Sequence, residues 1–160
     1  MSNSVYFQEQ LYAAIKLICK TDGWDYGEAW IPTVDGVLEL SPVWYSRPDT
    51  EAIDQFRLCS EDFIIPPNQG LPGRVWASGK PQWIVDVSAK SETYFLRNQI
   101  AAACGVKAGF GIPVRESSQI IVVLVFFMRT AGAENRQKVD FITAVVTQLE
   151  QSLSLTTALN

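Results

Sequence analysis

Histidine is absent from the 160 residues. That removes the commonest metal ligand, the usual proton shuttle and every Ser–His or Cys–His nucleophile pair. Cys19, Cys59 and Cys104 are scattered, with no C-x-x-C spacing. They outline neither a zinc site nor a disulfide framework, fit a reducing cytoplasm, and read as inert packing thiols. Glu61 and Asp62 are adjacent and read as a solvated pair, which leaves acid–base catalysis without a framework. Arg97 carries a planar fork suited to a carboxylate or phosphate. Arg74 follows Gly73 near a short helix start, where backbone N–H groups favour anions. For both arginines the plainer alternative is a solvated helix face. Asp86 follows an apolar run and either caps the next turn or faces a pocket. Trp30, Trp44, Trp76, Trp83, Phe95 and Phe110 either fill a core or wall a flat apolar cavity.

These residues sit in an ordinary globular composition, 48% hydrophobic and 19% charged, sized for one domain over residues 1–160. A net charge of −4 without any basic run argues against a nucleic-acid partner. Glu9, Lys16 and Lys20 interrupt the first twenty residues, so no signal-peptide core forms there. The longest apolar run, 120–128, is about half of what a membrane span needs. It reads as a buried central strand.

Phe7, Leu11, Ala14, Ile15 and Ile18 share one helical face, and Thr21-Asp22-Gly23 ends that helix. Residues 26–34 and 37–45 read as strands joined by Asp35-Gly36, a hairpin turn. Residues 50–59 read as a helix with Thr50 as its cap, and 63–67 as an extended connector. Gly70 and Pro72 open a short helix, Gly79 stops it, and 83–85 form a strand. After a polar loop at 88–92, residues 94–104 read as a helix. Residues 108–114 and 120–128 form a second hairpin around 116–119, and from about Glu134 to Leu155 the chain is helical. Hairpins with helices gathered before and after them describe an α+β sandwich.

Residues 69–87 read QGLPGRVWASGKPQWIVDV. This stretch resembles the middle of a GAF domain, in which G-x-x-G-x-V-x-x-[ST]-G-x-P-x-x-[IV]-x-D-V recurs. Gly70, Gly73, Val75, Ser78, Gly79, Pro81, Ile84, Asp86 and Val87 occupy those places. The run Gly23 to Pro32, GWDYGEAWIP, is similar to the entry of cyanobacterial members. The resemblance implies an antiparallel sheet with the terminal helices on one face and a ligand pocket on the other. It also implies a cytoplasmic regulatory module of a larger signalling protein, with a kinase, cyclase or phosphatase as output domain. Trp76, Trp83, Asp86, Phe95, Arg97, Phe110 and Ile112 are then the expected lining of a site for a non-covalent small molecule, with the cofactor unspecified. Leu96 and Arg97 stand where bilin-binding members carry their Cys-His pair, so no thioether-linked bilin is expected. The cysteines do not resemble the cluster with which some members reduce free methionine sulfoxide. The N-K…F…D-E pattern of cyclic-nucleotide binders is not met, and Lys80 is no substitute. The expectation is therefore a non-enzyme. The alternatives are a purely structural dimerisation module with a collapsed pocket and, third, a sulfoxide reductase.

Val139, Ile142, Val146, Leu149 and Leu153 alternate three and four apart, the repeat of a coiled-coil seam. Together with the resemblance, this predicts a parallel homodimer through the last helix.

Overall fold

The computed structural model describes residues 4–48 and 51–159, with side chains through Leu155 in the last helix. Helix α1 (Val5–Asp22) begins where the Ser4 hydroxyl accepts a hydrogen bond from the Phe7 N–H at 3.0 Å, and ends at Gly23 in the left-handed region. Strands β1 (Tyr26–Pro32) and β2 (Leu38–Ser46) pair as the expected hairpin. Helix α2 (Glu51–Ser60) follows; its expected cap, Thr50, lies outside the described residues. The apolar connector supplies a two-residue strand, β3 (Ile64–Ile65), that pairs with the start of β2.

Helix α3 (Gly70–Ser78) stops at Gly79, whose φ of 70° only glycine adopts freely. Gly73 is required for a different reason: a Cβ there would lie 2.3 Å from the Pro66 carbonyl oxygen. Strand β4 (Gln82–Ile84) and a 3-10 turn (Val87–Ala89) lead to α4 (Asn98–Cys104). That helix is shorter than the sequence predicts. Tyr94 and Phe95 donate their N–H groups to Ser91 O, which closes a turn ahead of the helix. Strands β5 (Gly109–Glu116) and β6 (Gln119–Phe127) turn at Ser117 and Ser118, both with positive φ, and α5 (Arg136–Leu159) closes the fold.

The sheet is antiparallel in the order β3-β2-β1-β6-β5-β4. Central β6 buries both its faces, which is why residues 122–127 are apolar throughout. Helices α1 and α5 cover one face, where Leu11, Ile15, Ile18, Phe110, Leu124, Phe126 and Ile142 form one core. Helices α2, α3 and α4 cover the other, around Tyr26, Trp30, Phe56, Phe95, Val125 and Phe127. No described helix is long and apolar enough to cross a membrane.

Candidate functional site

Side chains two apart on a strand share a face. Tyr26, Glu28 and Trp30 of β1 therefore all point under the middle helices, and all are fully buried. Opposite them Arg97, the last residue before α4, enters the same space and is 1% exposed. Its Nη2 lies 2.6 Å from Glu28 Oε1, and its Nη1 donates to Glu28 Oε2 at 3.1 Å and to Ser60 Oγ at 3.0 Å. Tyr26 OH donates to Glu28 Oε2 at 2.8 Å and Trp30 Nε1 to Oε1 at 3.0 Å. Oε2 thus accepts two hydrogen bonds, and Oε1 accepts one and makes the closest ion-pair contact with Arg97. Around the cation, the Arg97 guanidinium carbon lies 5.0 Å from the rings of Trp30 and Phe56 and 5.4 Å from those of Phe95 and Phe127. Burial, and then the Glu28 charge, push the Tyr26 phenol well above its ordinary range, so it stays a donor.

A buried charge is tolerated when it is paired and hydrogen-bonded, and breaking such a pair is costly. The two residues are 69 apart in sequence. They therefore tie the first strand to the segment over the middle helices. A second arginine, Arg57 of α2, is also buried; it donates to Ser41 O at 2.9 Å and lies 5.7 Å from the Trp44 ring, with no carboxylate paired to it among the described residues.

The outer surface of residues 91–97 is held separately. The Arg74 guanidinium lies 3.9 Å from the Tyr94 ring centre, its Nη1 donates to Tyr94 O, and its Nε donates to Gln82 Oε1 at 3.0 Å. Gln82 Nε2 in turn donates to Tyr94 OH at 2.9 Å. Burial draws the Arg74 pKa below its usual value. Asp86 has the capping role: its Oδ1 accepts from Ser88 N at 3.0 Å and Ser88 Oγ at 2.6 Å.

The seven residues expected to line one pocket do not meet. Phe95 and Arg97 lie under the middle helices, with Trp76 packed half-buried against that core. Phe110 and Ile112 point to the opposite face, because alternate positions of β5 share it, and Trp83 packs there 5.3 Å from Trp24 and 5.9 Å from Phe110. Arg97 is not on a solvated face, and the acid it pairs with is internal. Glu28, Tyr26 and Ser60 were not singled out from sequence. The one signal available was alternation, which puts the single acid of β1 on the same face as two large aromatics.

Cys19 is buried under the terminal helices, Cys59 is exposed on α2, and Cys104 is half-buried at the end of α4. Burial pushes the thiols of Cys19 and Cys104 up, away from the reactive thiolate. Among the described residues no group of three His, Cys, Asp or Glu could hold a metal ion.

The coiled-coil seam is turned inward. Ile142 and Leu153 are fully buried and Val146 and Leu149 are 4% and 5% exposed, all in the chain's own core, with Val139 packed half-buried against it. The heptad-like spacing serves the sheet and α1, and of these side chains Leu149 also reaches the outer surface. The neighbouring outer surface is a groove of about 290 Å³ lined by Gln10, Ala13, Ala14 and Leu17 of α1 and by Val145, Gln148, Leu149 and Ser152 of α5.

No family model matches the chain. Over 65 residues it is 35% identical to transcription factor bHLH13 of Arabidopsis thaliana, a match covering 41% of this chain and 10% of that protein. Solved structures match over nearly the whole length. The GAF domain of a phosphoenolpyruvate-protein phosphotransferase from Coxiella burnetii superposes with a TM-score of 0.73 at 15% identity, covering 98% of this chain and 88% of that one. A GAF domain/HD domain protein from Geobacter sulfurreducens gives 0.72 at 10% identity, over 95% and 94%. Free methionine-R-sulfoxide reductase from Neisseria meningitidis, solved with its substrate, gives 0.66 at 14% identity, over 98% and 84%. The chain therefore has the GAF fold. Fold alone does not select among regulatory and enzymatic members.

Proposed function

We infer that this domain is a regulatory GAF module of a larger signalling protein, with its middle-helix face closed by its own side chains. The observation that carries this reading is the Glu28–Arg97 pair: the space expected to hold a small molecule holds a buried ion pair inside four aromatic rings. This favours the module with a filled pocket over the open small-molecule sensor. The position of Cys19, on the far side of the sheet from Cys59 and Cys104, and the exposure of Cys59 support a non-enzyme over a sulfoxide reductase.

Output passes through α1 and α5, which pack on each other and carry the chain in and out of the sheet. A second copy pairs across the outer groove, where no charged side chain lines the surface among the described residues and Leu17 is 48% exposed. A kinase, cyclase or phosphatase domain in the cytoplasm is the partner class this arrangement serves. Native mass spectrometry of the purified chain tests the reading: a bare dimer is expected. A retained small molecule would overturn the closed face, and a monomer at high micromolar concentration would overturn the pairing.

A further inference from the structure

The geometry points to a guanidinium receptor under the middle helices that is occupied by the chain's own Arg97. Receptors for organic cations combine aromatic faces within about 6 Å with an anion at one end. Here the rings of Trp30, Phe56, Phe95 and Phe127 surround the guanidinium carbon at 5.0–5.4 Å. Glu28 closes the end with both oxygens, each aligned by a second donor, Tyr26 OH or Trp30 Nε1. Those two hydrogen bonds belong to β1 alone. They anchor the carboxylate through donors other than the cation. Ser60 Oγ, fixed by its own 2.7 Å bond to Phe56 O, supplies a lateral acceptor that suits a planar N–H fork.

The cage is thus built from β1, β6, α2 and the turn before α4, whereas the cation comes on one side chain. Arg97 is an intramolecular ligand: its tether holds it at the site. The class of free ligand that fits is an alkylguanidinium, because a neutral isostere would leave Glu28 buried without a counter-charge. This inference rests on the closed face described above and not on the regulatory role.

The test removes the tethered ligand and offers its equivalent in solution. Arg97→Ala deletes a group with the shape of ethylguanidinium. Thermal melts of this variant are followed with ethylguanidinium, with ethylurea as the neutral isostere, and with sodium chloride, all at low millimolar concentration. Ethylguanidinium is expected to raise the variant's melting temperature saturably. At ten times its dissociation constant it should raise the folded-to-unfolded ratio about elevenfold. Ethylurea and salt should not, and the double variant Arg97→Ala with Glu28→Gln should lose the response. The wild type should show none, because Arg97 fills the cage. A folded Arg97→Ala protein without a saturable response, or a wild-type response equal to the variant's, overturns the assignment. Should the variant be unfolded alone, circular dichroism decides: refolding by ethylguanidinium but not ethylurea supports the receptor, and no refolding by either overturns it.

Discussion

Glu28 is fully buried, accepts three hydrogen bonds and pairs with Arg97. Removing it leaves the Arg97 charge buried and unpaired, a change that typically costs about 3–5 kcal/mol. Glu28→Ala is expected to lose stability on that scale in urea unfolding. The double variant Glu28→Ala with Arg97→Met should lose less than the sum of the single changes, because the pair vanishes together. Arg97→Lys is not conservative here, since one ammonium cannot span both carboxylate oxygens and Ser60. The thiols give a second prediction at this scale. In the native protein Cys59 alone should react quickly with a maleimide, Cys104 slowly, and Cys19 only on unfolding. A fast reaction surviving Cys59→Ser would contradict this order, as read by intact-mass labelling kinetics. Little of this residue-level picture was legible beforehand. Arg97 stands at a polar-looking turn, and nothing local shows that it reaches a carboxylate 69 residues away. Asp86 was legible as a cap because its partner lies two residues on.

Elements were easier to read, because helix and strand periods are local. Ser4, Gly23 and Gly79 marked helix ends, and the all-apolar β6 announced a strand covered on both faces. The α5 seam shows where such reading stops: a 3–4 spacing says that one face is buried, and not by what. Leu149→Glu is therefore expected to unfold the domain by circular dichroism. Leu17→Glu on the outer groove should keep the fold and shift sedimentation toward monomer. The α1–α5 junction carries a pH signature as well. Lys138 of α5 donates to the backbone oxygen of Asp22, and burial raises the pKa of the Asp22 carboxyl. A folded-state pKa above the unfolded one means that the folded form binds more protons, so this group's contribution falls as pH rises from the ordinary carboxylate range through the raised value. Asp22→Asn should then be more stable than wild type at pH 7. The difference should vanish as pH falls below about 4, the range of an unperturbed aspartate. Chemical denaturation across that range would show the two curves converging; a constant gap would contradict the assignment.

At the scale of the whole molecule, β1 pairs with β6 along its length, Tyr26 opposite Phe127 and Trp30 opposite Val123, so the sheet's centre joins segments from opposite ends of the chain. The helices that flank it also meet. Tyr6 OH and Ser152 Oγ lie 3.0 Å apart near the start of α1 and late in α5, while Asp22 and Lys138 meet at the other end of the pair. The two helices therefore run antiparallel, and chain continuing outward from either would leave at one place. Such an arrangement makes the order of the elements dispensable. A circular permutant that links the two helices through a short flexible joint, and opens the chain in the exposed turn at Val34, Asp35 and Gly36, should refold to the same sheet. By the same geometry the domain could be spliced into a surface loop of a host protein without prising that loop apart.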